Sequence, residues 1–279
     1  MKSFDNKVAA ITGAGSGIGR GLALELGRRN CHLALSDVNE GGLAETVAQV
    51  SGLGVRVTSQ SVDVANRDAV YDWADEVARD HGKVNLIFNN AGVALGSTVE
   101  KMSYEDFEWL MNINFWGVVY GTKAFLPHLK ATGEGHIINI SSVFGLAGIP
   151  SQSAYNSAKF AVRGFTESLR QELDMLGYGV SATSVHPGGI KTAIARSSRM
   201  NDSLQDLGLA VEGEDTRKKF EKSFITSPDA AAKAIIEGVR RNQRRILVGP
   251  DARVYDWMVR LLPTAYQRVA VGYARFTAK

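Results

Sequence analysis

Val8-Ala9-Ala10-Ile11, followed at once by Thr12-Gly13-Ala14-Gly15-Ser16-Gly17-Ile18-Gly19, decides how this chain is read. Four apolar residues fit a strand buried on both faces, and the stretch from Gly17 to Arg29 then has a helical pattern. Glycines at this junction let the backbone turn tightly and lie close against a pyrophosphate. The helix start adds free N–H groups and the positive end of the helix dipole. A glycine-rich string alone is a weak signal, but an apolar strand before it and an amphipathic helix after it supply the confirming context.

Working outward, short apolar runs alternate with longer amphipathic stretches. His32–Ser36, Val55–Val57, Val84–Phe88, His136–Ile140, Val180–Val185 and Ile246–Val248 read as further strands. Leu43–Val50, Asp68–Asp80, Ser103–Leu129, Ser153–Met175 and Pro228–Arg241 read as helices, with Ser103 an N-cap and Pro228 at the first helical position. The alternation predicts an α/β, doubly wound architecture: a seven-stranded, mainly parallel sheet with helices on both faces. No linker divides residues 1–279, so one domain is expected, with a substrate-lid insertion at 189–226 and a basic amphipathic extension at 250–279.

Composition excludes several classes. The hydrophobic fraction of 44% and charged fraction of 22% suit a globular chain. A single cysteine, Cys31, permits no internal disulfide and no cysteine-based zinc site, and reads as a small buried hydrophobe. His32, His81, His128, His136 and His186 lack metal-ligand spacing, so no metal is expected and structural or surface roles are assigned to them. A net charge of +3 gives no case for nucleic acid. No secretory signal or membrane-length apolar run is visible, and a cytoplasmic protein is expected.

Asp37 closes the second strand. A carboxylate there can accept from a ribose 2′-OH and repel a 2′-phosphate, which favours NAD over NADP. It could equally cap the following helix. Arg20 pulls weakly towards a phosphate, but lies already on the first helix.

Tyr155 and Lys159 are four apart on a predicted helix and share a face. With eight tyrosines and thirteen lysines, chance alone gives ~0.4 such pairs. Position makes the pair informative. Ser141-Ser142 ends a strand at the sheet edge where open parallel sheets bind ligands. A serine there can polarise a carbonyl, and a tyrosine can exchange the proton. A free phenol has a pKa near ~10, so a neighbouring ammonium is what such chemistry needs.

These elements together resemble a classical short-chain dehydrogenase/reductase over residues 5–250. The matching set is the Thr12–Gly19 string, Asp63-Val64, Asn89-Asn90-Ala91-Gly92, Asn114, Ser142, Tyr155 with Lys159, and Pro187-Gly188 with Thr192. The resemblance implies a Rossmann-like fold and an NAD(H)-dependent alcohol dehydrogenase or ketone reductase. It implies that Tyr155 is the general acid/base and that Ser142 holds the substrate oxygen, with Ser141 facing away. Lys159 would bind the nicotinamide ribose and lower the tyrosine pKa, while Asn114 would interrupt its helix and hold a relay water. For the cofactor it implies Gly13, Ser16, Gly17, Ile18 and Gly19 at the pyrophosphate, Asp37 at the ribose, and Asp63 and Val64 at the adenine. Asn90, Ala91 and Gly92 would meet the adenine ribose region, and Pro187, Gly188, Ile190 and Thr192 the nicotinamide end.

Ala94, Leu95, Ser142, Phe144 and Ile194 are the candidate substrate contacts. With Val93, Val143, Leu204, Leu207 and Leu209 nearby in sequence, they predict an apolar substrate. A homotetramer, or else a dimer, is expected through the two long helices, whose apolar positions Phe107, Leu110, Phe160, Phe165 and Leu169 exceed what one sheet face requires. Trp109, Phe115 and Trp116 read as packing or oligomer contacts. From Arg240 to Lys279 the charge balance is +7, against −4 for the rest. In the tail, Val254, Trp257, Met258, Leu261 and Leu262 recur at helical spacing, and Pro263 should kink or end that helix. Such a segment can lie on a membrane; packing over the substrate mouth or against another subunit is favoured. Two alternatives stand beside the main reading: a membrane-surface lipid, retinoid or steroid reductase, and a non-catalytic NAD(P) sensor.

Overall fold

The computed structural model describes residues 2–192, 194, 198–208 and 224–277. Leu209 and much of the 189–226 insertion therefore lie outside the described residues.

Strand β1 (Val8–Thr12) is buried along its whole length because both its faces are covered. Ala9 and Ile11 pack on one side with Leu22 and Leu26 of α1 (Gly17–Gly27) and Leu43 of α2 (Glu40–Ser51). Val8 and Ala10 pack on the other with Trp73 of α3 (Arg67–His81) and Phe125 of α5 (Gly117–Ala131). Alternate side chains of a strand point to opposite faces, so an unbroken apolar run is what a doubly covered strand requires.

The central sheet has seven strands in the order β3-β2-β1-β4-β6-β7-β9, all parallel. Here β2 is His32–Ser36, β3 Val57–Gln60, β4 Leu86–Asn89, β6 Gly135–Ile140, β7 Val180–Pro187 and β9 Arg245–Val248. The chain moves outward through β2 and β3, returns past β1 to β4, and then proceeds the other way. The carboxyl ends of β1 and β4 thus flank the topological switch point, where open α/β sheets bind ligands.

The sequence reading is corrected in several places. The third strand begins where its expected range ended, because Val55 faces the core from the loop before it. Asp37 does not cap α2; Asn39 does, its side chain accepting from Gly42 N. The stretch 103–129 is not one uniform helix. Ser103 caps α4 (Tyr104–Met111) as expected, but a π-helical turn at Asn112–Trp116 precedes α5. Leu110 and Leu169 are not surplus apolar surface: both are buried, whereas Phe160 and Trp116 are exposed. A two-residue ladder between β5 (Leu95–Gly96) and β8 (Arg199–Met200) was not foreseen. Helix α6 covers Ser153–Leu176, and α7, Pro228–Arg240, begins with its proline as read. The tail forms two helices, α8 (Pro250–Leu261) and α9 (Tyr266–Thr277), with Pro263 between them.

Candidate active site

The glycine turn is shaped by contacts that a side chain would block. Gly13 and Gly17 take positive φ of 65° and 53°. A Cβ at Gly13 would lie 2.8 Å from Ala91 Cα, and one at Gly17 would lie 2.9 Å from Thr192 Cγ2. A Cβ at Gly19 would run into the Gly13 carbonyl oxygen. At the start of α1 no acidic residue occupies the first turn, and Ser16 makes no side-chain cap. The first N–H groups of the helix are thereby left for an anion.

Thr12 and Asn90 lock this turn to the end of β4. Thr12 Oγ1 accepts from the N–H groups of Asn90 and Ala91, each at 3.0 Å. Asn90 Nδ2 donates to the Thr12 and Gly13 carbonyls at 2.9 and 3.1 Å. Asp37 accepts from Gly15 N at 2.8 Å and so stands beside the same turn. The Arg20 guanidinium is already engaged by the Gly15 and Gly42 carbonyls and Glu45, and its Nε by Thr46. Asp63 is exposed, with its carboxylate accepting from Ala65 N; Val64 is buried, in contact range of Gly117.

A second cluster lies at the carboxyl end of β6. Ser142 caps a short 3₁₀ turn by accepting from Phe144 N at 3.1 Å, and its hydroxyl stands close enough to the Tyr155 phenol to lower its pKa. Ser141 faces elsewhere, donating to the Lys159 carbonyl at 2.8 Å. Lys159 Nζ donates to the Ile140 carbonyl at 3.0 Å and lies 5.5 Å from the Tyr155 ring centroid. Lys159 is buried and Tyr155 half-buried. Burial pushes the Tyr155 phenol up to about 12, with the Ser142 hydroxyl acting the other way, and draws Lys159 down to about 8.

Asn114 sits inside the π-helical turn. Its side chain accepts from Val93 N and donates to Val93 O, both at 2.8 Å, which ties the turn to the loop after β4. A Cβ at Gly92 would lie 3.1 Å from Asn114 Oδ1 and 3.6 Å from Lys159 Nζ. The loop after β4 therefore touches both helices that carry candidate catalytic groups.

At the far side, Gly188 N donates to the Val248 carbonyl at 2.9 Å, following Pro187 at the end of β7. Ile190 is buried and bridges to Thr226. Of the substrate candidates, Phe144 stands edge-on to Tyr155 at 6.1 Å. The Ala94 carbonyl accepts from Arg199 N. Leu95 is packed with Leu110, Ala154 and Ala158, so it backs the wall behind Tyr155. Ile194 is half-buried beside residues outside the described set.

Three contributions escaped the sequence reading. His186 is buried, and its Nδ1 lies 2.9 Å from the Ser142 carbonyl. A carbonyl only accepts, so Nδ1 carries the hydrogen and Nε2 accepts from Ser184 Oγ at 3.0 Å. Tyr255 of α8 stands edge-on to Phe144 at 6.4 Å, and Tyr266 of α9 accepts from Gly148 N. Asp251 accepts from Gly189 N at 2.6 Å. No local motif marks these residues; the neighbouring strand brings His186 to Ser142, and the return of the chain's end across the site brings in Tyr255, Tyr266 and Asp251.

The fold and this paired arrangement, a glycine cradle beside a largely buried Ser-Tyr-Lys cluster, define a dinucleotide-binding protein of the oxidoreductase type. The family model for short chain dehydrogenases matches residues 7–203, and the chain belongs to that family. SadH of Mycobacterium tuberculosis is 50% identical over 279 residues, covering 99% of this chain and 98% of that protein. The C alpha-dehydrogenase of Sphingobium is 34% identical over 91% of this chain and 84% of its own length. Among solved structures, a short chain dehydrogenase/reductase from Burkholderia phymatum in complex with NAD superposes with a TM-score of 0.83 at 32% identity, covering 94% of this chain and 96% of that one.

Proposed function

We propose that this oxidoreductase is an NAD(H)-dependent alcohol dehydrogenase/ketone reductase acting on a predominantly apolar substrate. The observation that carries the reading is the cluster of buried Ser142 and Lys159 with half-buried Tyr155 beside the glycine cradle. Burying a lysine is unfavourable unless its charge is used, and nothing in a binding-only protein requires it next to a tyrosine.

The residues fit a dinucleotide: Gly13, Ser16, Gly17, Ile18 and Gly19 would hold the pyrophosphate, and Asp37 the adenosine ribose. Asp63, Val64, Asn90, Ala91 and Gly92 would surround the adenosine half, and Pro187, Gly188, Ile190 and Thr192 the nicotinamide end. NAD, when bound, supplies the hydride acceptor. In oxidation the Tyr155 hydroxylate takes the proton of the substrate alcohol, and in reduction Tyr155 returns it. Ser142 Oγ holds the substrate oxygen, and the Lys159 ammonium stabilises the phenolate. Asn114, its side chain tied to Val93, would hold the relay water through its backbone. The preference for NAD over NADP rests on the Asp37 carboxylate together with the committed guanidinium of Arg20. Ala94, Phe144, Ile194 and the 189–226 lid would supply apolar walls, backed by Leu95. Single-domain organisation and assembly into a homotetramer or dimer through the helical stretch 104–131 and α6, which expose Trp116 and Phe160, complete the reading.

A panel of secondary alcohols of rising hydrocarbon size, assayed with NAD⁺ and NADP⁺, tests this. Specificity constants should rise with apolar bulk, and Tyr155→Phe should lose ~10²–10⁴-fold in turnover while still binding NADH. A variant keeping more than half the rate refutes the mechanism. Sugars or small polar diols proving best by an order of magnitude refute the substrate class.

A further inference from the structure

Helix α8 has two faces of different character. Inward, Asp251 grips Gly189 N, Tyr255 meets Phe144, and Asp256 is held by Arg245 and Arg260 at 3.2 and 2.8 Å. Outward, Val254, Trp257 and Leu261 form one stripe at i, i+3 and i+7, and are 65%, 65% and 68% exposed. Helix α9 is divided differently: Tyr266 is its inward peg at Gly148, Val269 and Tyr273 follow on the same side at i+3 and i+7 and are exposed, and Arg268 and Arg275 lie on the opposite, outer side. Such an area of exposed apolar and aromatic side chains marks an interaction surface.

Its charge says what it meets. Arg253 adjoins the α8 stripe, Arg268 and Arg275 face outward from α9, and none of the three has a carboxylate partner among the described residues. The only carboxylates from 250 to 275 are Asp251 and Asp256, and both are occupied on the inward side. A two-fold contact with a second copy would set these arginines against their own equivalents, with no acid on the face to answer them. The complement has to be negative and apolar together. Amphipathic helices that carry exposed aromatics and unpaired arginines suit a lipid–water boundary, where the guanidinium groups reach the headgroups.

We propose that the outer face of α8 and α9 docks on an anionic phospholipid surface. The association is peripheral, since no helix among the described residues is long and apolar enough to cross a membrane. The docking stands independently of the proposed reaction. If that reaction holds, Tyr255 and Phe144 also set the mouth of the site beside the lipid, from which an apolar substrate can enter.

The full-length protein is sedimented with vesicles of phosphatidylcholine alone and of phosphatidylcholine with phosphatidylglycerol. It should pellet with the anionic vesicles and stay in solution with the neutral ones, and added salt should release it. Trp257→Ser/Leu261→Ser and Arg268→Glu/Arg275→Glu should each weaken binding by more than about tenfold. Both variants lie outside the site, so NADH binding at the wild-type level certifies that they are folded. Equal pelleting with both vesicle types, no pelleting, or a charge-reversed variant that binds like wild type overturns the proposal. Light scattering without lipid supplies the other decisive arm. A Trp257→Ser/Leu261→Ser protein that drops to a smaller assembly assigns the face to a second copy instead.

Discussion

Replacing Lys159 by methionine removes one charge from a buried site at nearly constant length. In the oxidation direction Tyr155 must lose its proton, yet burial holds the phenol at about 12. The Lys159 ammonium lies 5.5 Å from that ring. At an effective dielectric of about 20, a unit charge at this distance is worth ~3 kcal/mol, or about two pKa units. Lys159→Met should therefore move the pH profile of kcat for oxidation up by about two units and lower the rate near pH 7 by about 100-fold. Lys159 itself titrates near 8, so its charge is present below that pH and fades above it, and the two profiles should converge at alkaline pH. Saturating NAD⁺ and substrate keep the comparison on kcat, separating this effect from weaker cofactor binding. A variant profile parallel to wild type, lowered at every pH with the same inflection, would refute electrostatic assistance and leave Lys159 a holding role only.

Asp37→Ala should raise the ratio of kcat/KM for NADP over NAD by about tenfold or more, because it removes both an acceptor for the 2′-OH and a repulsion of the 2′-phosphate; a wild-type enzyme already preferring NADP sinks the assignment. Burial pushes His136 down to about 3 and His186 to about 4, so both stay neutral in the fold while the unfolded chain takes up protons below about 6.5. Stability should then fall with decreasing pH from about 6.5 towards about 4, at up to ~2.7 kcal/mol per unit for the pair, and level off below. Urea midpoints that do not move between about pH 7 and about pH 5 contradict this. Trp73 is buried edge-on to Phe125 at 5.1 Å, so Trp73→Ala should cost ~3–5 kcal/mol in urea unfolding. KM for NADH should be unchanged, and a loss below ~1 kcal/mol would mean that the α3–α5 layer closes over the gap.

The sheet was legible because a strand covered on both faces tends to read as an apolar run, clearest in Val8–Ile11 and Leu86–Phe88, although buried polar residues such as Asn139, Thr183 and Ser184 interrupt β6 and β7. The glycine turn was legible because positive φ and close approach leave glycine little competition at 13 and 17. Tyr155, Lys159 and Ser142 were readable only as an ordered set; the pair alone is within chance. The π-helical turn is not legible from spacing, because Asn112–Trp116 keeps helical hydrophobic spacing; only the family resemblance, which has Asn114 interrupting its helix, points to it, and in the structure the Asn114 side chain is tied to Val93. His186 was hidden for a similar reason, since its role depends on a carbonyl from a neighbouring strand. The tail's two helices follow from its periodicity and Pro263, but nothing local to Tyr255, Tyr266 or Asp251 says that they reach Phe144, Gly148 and Gly189.

That return of the tail has a consequence for how the protein comes into being. Tyr155, Lys159 and the glycine turn are synthesised well before α8, yet the Gly189 amide meets Asp251, and the Phe144 ring its second aromatic neighbour Tyr255, only when α8 arrives. A nascent chain still short of Pro250 carries every proposed reactive group on an unfinished frame, with one side of its pocket open to water. The frame around the proposed reactive groups is thereby completed only once residues 250–266 have joined it, and a chain stopped after Gly249 should lose turnover although none of its reactive side chains is missing.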